Sequence, residues 1–202
     1  MREWVSDRVR ERFPEAVVEI HRQHGDDTVV VHREWLLRVL QFLRDEPGLM
    51  FRMPLDVTCV DRLAMGPQAS EQVRALNPPL TDPDPVPRGP GLKPRFEVVY
   101  HLRSLIRTEG PVIRVKVRVD EDDPVVPSAV GLFKGFNWFE REVYDMFGVR
   151  FEGHPDLRRI LLYPEFHGHP LRKDYPRRGH QPLVPMPRLQ ADPVPRGPGE
   201  RG

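Results

Sequence analysis

Three carboxyl groups lie close together in the segment NWFEREVYDMFG, residues 137–148. Converging pairs of carboxyl groups are the usual device of general acid–base catalysis, so Glu140, Glu142 and Asp145 are candidates for that chemistry. The apolar spacing of the segment predicts a helix, on which side chains two positions apart point about 200° away from each other. Glu140 and Glu142 therefore do not converge, and the sequence argues against a catalytic pair.

Four histidines, His154, His167, His169 and His180, gather in the last third of the chain. Metal sites built on histidine use pairs at a fixed spacing together with a third ligand. His167 and His169 have a suitable spacing but no evident third ligand, so a small metal-dependent enzyme using His154, His167 and His169 is a minor alternative. The chain has two Gly-His-Pro units, in which glycine and proline favour a rigid corner. We expect the corner histidines, His154 and His169, to hydrogen-bond to backbone.

The predicted helix has signals at both ends. Asn137 is suited to cap its first turn, Glu140 lies where it would complete a capping box, and Gly148 is typical of the position just past a helix end. Glu140, Arg141, Tyr144 and Asp145 are then left on the remaining surface of the helix, and the Glu-Arg-Glu run at 140–142 is predicted to be a solvated face. Arg141 and Asp145 are four residues apart, which predicts an exposed ion pair worth about 0.3–0.5 kcal/mol.

The two corners are predicted to lead into different structures. After the first corner, Pro155 and Asp156 suit the first turn of a short helix that turns Arg158 and Arg159 outward. After the second corner, five residues precede Pro176, which is too few for a helix, so an extended chain is predicted. That stretch presents Arg172, Lys173 and Asp174.

The remaining pattern predicts an α+β domain. Apolar residues recur at helical spacing in residues 3–13 and 33–45. Strand-like runs occupy residues 17–20, 28–31, 55–63, 96–106 and 112–119. Turn residues between the first two runs, and between the last two, predict a hairpin in each case. We therefore expect a mostly antiparallel sheet of four or five strands with helices packed on it, and not a doubly wound parallel sheet.

Proline content divides the chain. Two stretches are rich in proline, and the octapeptide DPVPRGPG occurs once in each; such stretches lack the regular hydrogen-bond donors of a strand and too few apolar residues remain for a core. The predicted organisation is an α+β domain with a Pro-rich loop insertion, a docking segment containing the Gly-His-Pro corners, and an extended tail that binds a partner. Their ranges are 1–150 with the loop at about 64–94, 151–175, and 176–202.

Composition excludes several classes of function. The 31 Lys and Arg residues nearly balance the 30 Asp and Glu residues, so no overall positive charge favours nucleic acid. Cys59 is the single cysteine, which excludes an internal disulfide, a four-thiolate zinc site and an iron–sulfur cluster held by this chain alone. No apolar run is long enough to span a membrane, so we expect no membrane-spanning helix. The first residues do not have the pattern of a secretion signal, so we do not expect secretion by that route.

One long stretch resembles a known family. The run EREVYDMFGVRFEGHPDLRRILL at 140–162, continued by HGHPLRKDYP at 167–176, resembles the signature of the 30 kDa (C-type) subunit of the proton-pumping NADH:quinone oxidoreductase, respiratory complex I. The strand RFEVVYHLRS at 95–104 is also similar to the family. The Pro-rich connection is longer than the family's usual link, and the tail carries no motif of it.

The resemblance implies a structural and assembly subunit of the peripheral arm of that complex. The complex transfers electrons from NADH through FMN and iron–sulfur clusters to quinone and couples this to proton translocation. The resemblance implies that this chain has no flavin, iron–sulfur cluster or quinone site of its own. The sequence also lacks the motifs of phosphate, dinucleotide, metal and nucleophile sites, so we expect no cofactor, no metal and no catalytic centre in this chain itself. The resemblance also implies partners among the peripheral-arm subunits, especially the quinone-site (D-type) subunit and neighbouring iron–sulfur subunits. Membrane association would be indirect, at the cytoplasmic face of a prokaryotic inner membrane.

Charged and aromatic residues of the motif are the expected partner-interface residues. They are Glu140, Arg141, Glu142, Asp145, His154, Asp156, Arg158, Arg159, His169, Arg172, Lys173, Asp174 and Tyr175. Within the same assembly family, the equivalent subunit of a membrane-bound hydrogenase or of a photosynthetic quinone-reducing complex is an alternative. A free-standing binding module is another.

Overall fold

The computed structural model describes residues 4–23, 25–64, 93–106, 111–176 and 181. The Pro-rich connection, nearly all of the predicted tail and both copies of DPVPRGPG lie outside these residues.

Three α-helices and seven strands make up the described part of the chain. The helices are α1 (Val5–Arg12), α2 (Leu36–Asp45) and α3 (Phe136–Phe147), with short 3-10 helices at Arg33–Trp35 and Arg62–Ala64. The strands are β1 (Val17–Gln23), β2 (Asp26–Val31), β3 (Met53–Asp61), β4 (Phe96–Arg103), β5 (Val112–Val119), β6 (Val125–Pro127) and β7 (Arg150–Glu152).

Five of the strands form one sheet in the order β1-β2-β5-β4-β3. The pairs β1–β2, β4–β5 and β3–β4 are antiparallel, and β2–β5 is parallel. The predicted α+β fold with a mostly antiparallel sheet is confirmed, as are the two hairpins β1–β2 and β4–β5. A separate parallel pair, β6–β7, lies beside the sheet.

Strand β5 shows why the sheet has one packed face and one charged face. Its residues alternate, and Ile113, Val115 and Val117 are fully buried while Lys116 and Arg118 face outward. On the outer face Lys116 and Arg118 lie 2.7 and 2.8 Å from the buried carboxylate of Glu97. The long cationic side chains thereby cover the outer face while keeping their charges paired.

The inner face of the sheet packs against the helices. Leu36, Val39, Leu40 and Leu43 recur every three or four positions in α2 and are fully buried. Helix α3 packs across β3, and its residue Phe136 meets the β4 ring of Tyr100 with ring centroids 5.5 Å apart. The core therefore fixes α3, the helix that carries Glu140 and Asp145, beside the edge strand β3.

Candidate functional site

The segment 153–176, the strap, runs along helix α3 and is tied to it at three successive turns. His154 Nε2 lies 3.1 Å from the Asn137 carbonyl oxygen; further on, Arg141 donates to strap carbonyls and Asp145 accepts from strap amides. Because positions 137, 141 and 145 are four residues apart, they share one face of the helix. A single helix face thus holds the first half of the strap.

Asp145 is fully buried and is satisfied by strap donors. Its Oδ2 accepts the backbone N–H groups of Ile160, Leu161 and Leu162 at 3.0, 2.8 and 2.9 Å, and its Oδ1 accepts from Arg159 at 2.6 Å. Burial opposes the charge, but the amide and guanidinium hydrogen bonds outweigh it and lower the pKa of Asp145. The carboxylate therefore stays ionised and paired at neutral pH.

The predicted solvated face is wrong for Glu140, Arg141 and Asp145, which are buried. The predicted ion pair between Arg141 and Asp145 is also wrong, because each side chain has another partner. Arg141 is buried, and its guanidinium donates to the carbonyl oxygens of Arg158 and Arg159 at 3.2 and 3.3 Å. The prediction that Arg158 and Arg159 both turn outward is half wrong. Arg159 turns inward to Asp145, whereas 71% of the Arg158 side chain is exposed.

The strap consists of turns, so both predictions for its backbone are wrong. No helix forms after Pro155, since the amides of residues 160–162 are taken by the Asp145 carboxylate instead of by helical carbonyls. The stretch after the second corner is not extended. There the Arg172 N–H donates to the His169 carbonyl at 3.2 Å, and the Tyr175 N–H donates to the Arg172 carbonyl at 3.1 Å.

Both corner histidines hydrogen-bond to backbone carbonyls of α3, as expected from the sequence. His154 Nδ1 accepts the Asp156 N–H at 3.0 Å, so the ring proton sits on Nε2 and points at the Asn137 carbonyl. His169 Nδ1 lies 2.9 Å from the Asp145 carbonyl, and burial lowers the pKa of His169. Each ring therefore donates a hydrogen bond to a backbone carbonyl oxygen of α3.

Gly148 ends α3 in the left-handed conformation, with φ of +75°, which confirms its predicted position. The second half of the strap crosses directly over it. A Cβ atom built on Gly148 would lie 2.6 Å from the His169 ring and 2.6 Å from the Arg172 guanidinium. The absence of a side chain at this position lets the strap approach the helix end.

We expect Gly148→Ala to lower the free energy of unfolding by about 2–4 kcal/mol, because left-handed strain of about 1–2 kcal/mol adds to steric overlap with the strap. Gly153→Ala is the matched control, since Gly153 also has a positive φ, +79°, but nothing lies within 4 Å of its Cβ position. Urea unfolding of both variants separates strain from overlap. Equal losses would contradict the described packing of the strap on Gly148.

A second anchor holds the far end of the strap, where Arg95 meets three carboxylates. Arg95 is bidentate to Asp61, at 3.1 and 2.8 Å, and lies 2.7 Å from Asp174 and 2.5 Å from Glu121. The Asp61 carboxylate also accepts the Lys173 N–H at 2.8 Å. Burial disfavours the charge, yet the carboxylates raise the pKa of Arg95 above its ordinary value. The cluster joins the strap to the ends of β3 and β4.

Two further strap residues, Arg172 and Tyr175, make contacts besides these anchors. Arg172 donates from Nε to the Phe147 carbonyl at 2.6 Å, and its guanidinium lies 5.1 Å above the Phe96 ring. Burial and the nearby Arg95 lower the pKa of Arg172. Tyr175 stacks on the ring of Phe166 with centroids 6.1 Å apart.

The predicted capping box is wrong. A cap at Asn137 requires a helix that begins at Trp138, but helix α3 begins two residues earlier, at Phe136, and its first turn has no side-chain cap. Glu140 does not reach back to the helix start, because it is fully buried and bonded elsewhere.

Glu140 holds the loop that follows β6. Its carboxylate accepts the Ser128 hydroxyl at 2.6 Å and the Ala129 N–H at 2.7 Å, and none of the ion pairs among the described residues involves it. Burial raises the pKa of Glu140 to about 7. The hydroxyl of Tyr100 is buried, with no hydrogen-bond partner among those residues, and burial and Glu140 raise its pKa.

Only some of the expected interface residues are exposed to solvent. Among the expected interface residues, those that are exposed are Glu142, Asp156, Arg158 and Lys173. The others bind within the chain. Residues that sequence reasoning missed are Asp61, Arg95 and Glu121 of the second anchor, Ser128 beside Glu140, and Trp138, which is 67% exposed.

The described part of the chain contains no group of three or more His, Cys, Asp or Glu side chains that could hold a metal ion. None of its helices is long and apolar enough to cross a membrane.

The chain matches a known protein family over most of its length. Residues 29–181 match the family described as "Respiratory-chain NADH dehydrogenase, 30 Kd subunit". The chain is 41% identical over 175 residues to the C-type subunit of NADH-quinone oxidoreductase from Methylobacterium sp. (strain 4-46), and the match covers 87% of this chain and 67% of that relative. The region that carries the strap is thus part of the family match.

Two solved structures have a similar fold. A trypsin-resistant fragment of Nqo5, residues 1–134 in its own numbering, is 32% identical with a TM-score of 0.53, and the match covers 75% of this chain and 98% of the fragment. The structure of the membrane-bound sulfane sulfur reductase, an archaeal respiratory membrane complex, gives a TM-score of 0.57 at 24% identity, covering 84% of this chain and 82% of that one. The second likeness concerns the fold alone.

Proposed function

Because the chain belongs to the family of the 30 kDa subunit of respiratory-chain NADH dehydrogenase, we propose that it is a structural and assembly subunit of NADH:quinone oxidoreductase. In this proposal it lies in the peripheral arm and binds no cofactor itself. Electrons pass from NADH through FMN and iron–sulfur clusters of other subunits to quinone, with coupled proton translocation. This chain positions the subunits that carry them.

The observation that carries the proposal is the way the family motif is used. Its buried members clamp the strap to the domain at Asp145 and at Arg95, so the strap has a fixed shape before any partner binds. Preorganisation of this kind reduces the entropy lost on association. The exposed members of the motif then form the surface offered to partners.

The strap, within the 151–175 docking segment, and the 176–202 tail are the proposed contact regions. The proposed partners are the quinone-site (D-type) subunit and neighbouring iron–sulfur subunits of the peripheral arm. Association with the membrane is indirect, through the complex, at the cytoplasmic face of the inner membrane. The inward-facing motif residues act on assembly only through the shape of the strap.

Affinity purification of the tagged chain from native membranes tests this function. We expect the flavin-bearing and iron–sulfur subunits to be recovered with it, together with NADH:quinone oxidoreductase activity. Recovery with hydrogenase or sulfur-reducing subunits would assign the chain to a related complex instead. Recovery of the chain alone would refute the proposal.

Arg158→Ala is expected to leave the fold intact but to weaken assembly. The Arg158 side chain is 71% exposed and its ion pair partner Asp156 is 52% exposed, so the free energy of unfolding should change by less than about 1 kcal/mol. If Arg158 contacts a partner, losing it should reduce recovery of other subunits about fivefold or more. Quantitative mass spectrometry of the purified complex measures this.

Arg150→Ala provides the control for this variant, because Arg150 is also an exposed arginine but lies on β7 outside the strap. We expect its complex yield to match that of the unaltered chain. Equal yields for Arg158→Ala and Arg150→Ala would remove Arg158 from the proposed interface.

A further inference from the structure

Exposed apolar side chains form a patch at the corner where β3 begins and β4 ends. Met53, Leu105 and Ile106 are 43, 58 and 47% exposed. Met53 lies opposite Arg103 in the β3–β4 register, and the Leu105 N–H donates to the Met50 carbonyl at 3.3 Å. The three apolar residues are therefore neighbours in space.

Three exposed cations surround this patch: Arg52, Arg103 and Lys134. Arg52 precedes Met53 directly in the chain, and Arg103 lies opposite Met53 on the neighbouring strand β4. Lys134 is brought close by its neighbour Gly135, on which a Cβ atom would lie 3.3 Å from Pro54 Cγ. The basic corner consists of the three apolar residues and these three cations.

Among the described residues, no carboxylate forms an ion pair with the three cations of the basic corner, since the nearby Asp45 pairs with Arg44. Asp45 lies near Arg52, but its two oxygens are already bonded to Arg44 at 2.7 and 2.8 Å. Arg52 itself donates only to the Arg44 carbonyl, at 3.4 Å, among the hydrogen bonds that its side chain makes to described residues. The corner thus combines exposed apolar area with a net positive rim.

The part of the outer face around Lys116 and Arg118 is different from the basic corner, although it is also rich in cations. There Arg118 is bonded to both Glu97 and Glu19 at 2.8 Å. Its cations are paired within the chain, and Val30 and Val99 beneath them are buried. That face is closed by its own side chains, whereas the basic corner is not.

We propose that the basic corner is an interaction surface for another protein subunit, one that presents an acidic rim around an apolar side chain. An apolar centre with a polar or charged rim is the usual anatomy of a protein interface. Opposite charges around that centre fix the orientation of the partner and exclude surfaces of like charge. This inference rests on the proposed role as a subunit, and it adds a contact site separate from the strap.

The test uses a charge-reversed chain carrying Arg52→Glu, Arg103→Glu and Lys134→Glu. A matched control carries Arg10→Glu, Lys93→Glu and Arg150→Glu, which gives the same change in net charge at exposed positions away from the corner. Both chains are tagged, expressed in place of the native chain and purified from native membranes. We expect recovery of at least one partner subunit to fall about tenfold for the corner variant and less than twofold for the control.

Two further measurements keep the result interpretable. Urea unfolding of the isolated chains shows whether the corner variant folds; if it does not, the single change Arg103→Gln replaces it, with a smaller loss of recovery expected. Vesicles of neutral and anionic lipid are incubated with the isolated chain. Binding to anionic vesicles that the corner variant loses, with unchanged recovery of subunits, would assign the corner to a lipid surface and overturn the inference.

The outcome for the unaltered chain separates this inference from the proposed function. If it recovers no other subunits, the proposed function fails. If it recovers them and both triple variants recover them equally, the basic corner is not a contact site while the proposed function stands.

Discussion

Replacing Asp145 with asparagine is expected to lower the free energy of unfolding by about 3–5 kcal/mol. One atom of the new amide group must be an NH₂ donor. It would face either the Arg159 guanidinium or the three amides of residues 160–162, which are donors themselves. In the first case the Arg159 guanidinium loses its charged acceptor, and in the second case three amides lose theirs at once; each buried donor left unpaired costs about 1–3 kcal/mol.

Asp156→Asn is the matched control for Asp145→Asn. The Asp156 carboxylate also pairs with an arginine of the strap, Arg158, but both side chains are more than half exposed. Such pairs contribute about 0–1 kcal/mol. Urea unfolding of the two variants should therefore differ by at least about 2 kcal/mol.

Hydrogen exchange locates the loss in the Asp145→Asn variant. The amides of Ile160, Leu161 and Leu162 should exchange faster, because their acceptor is the substituted carboxylate. The unaltered chain should also lose this stabilisation in acid, since a carboxyl group with a lowered pKa stabilises the fold only above that pKa. Unchanged exchange at these amides would contradict the clamp by Asp145.

Much of the fold could be predicted because its signals are local. Strand β5 alternates apolar and charged residues along its whole length, and α2 repeats apolar residues at helical spacing. The parallel contact between β2 and β5 was not predictable in this way, since their pairing joins residues far apart in sequence. Strands β6 and β7 have three residues each, too few to show a period.

The errors at the site have a common physical origin. Glu140 lies three residues after Asn137, which locally favours a capping box, but Ser128 and Ala129 supply better-placed donors in the folded chain. Arg141 and Asp145 have the spacing of a helix-surface pair, yet the strap covers that face and provides other partners. Tertiary contacts replaced the local interaction in both cases.

The second anchor did leave a signal in the sequence. Asp61 follows Val57 and Cys59 at every second position of β3, so the alternation puts an acidic residue on the buried face. A buried carboxylate needs a cation or several donors. Its partner Arg95 lies 34 residues later in the chain, and no local rule could identify it.

Glu140→Gln is expected to raise the free energy of unfolding by about 3 kcal/mol at pH 8. Burial raises the pKa of Glu140 to about 7, so above that pH the folded chain must keep a carboxylate buried without a cation. Glutamine has nearly the same shape and no charge. Its carbonyl can accept the Ala129 N–H, and its NH₂ group can donate to the Ser128 hydroxyl oxygen.

The sign of the pH dependence follows from the raised pKa. Between about pH 4.5 and 7 the folded chain holds a proton on Glu140 that the unfolded chain has lost, so stability falls as the pH rises through this window and is constant above it. The Glu140→Gln chain has no ionisable group at this position, so its free energy of unfolding does not fall for this reason. The difference in the free energy of unfolding between the two chains should therefore grow by about 3 kcal/mol from pH 4.5 to pH 8.

Urea unfolding at several pH values across this window measures the difference, and Glu142→Gln is the control. Glu142 lies two residues further along the same helix but is exposed, so its replacement should give a difference that stays within about 0.5 kcal/mol at every pH. A Glu140→Gln chain that is less stable than the unaltered chain at pH 8 would mean that the ionised carboxylate is bound more strongly than its two hydrogen bonds indicate. The ionised carboxylate would then stabilise the loop after β6 at neutral pH.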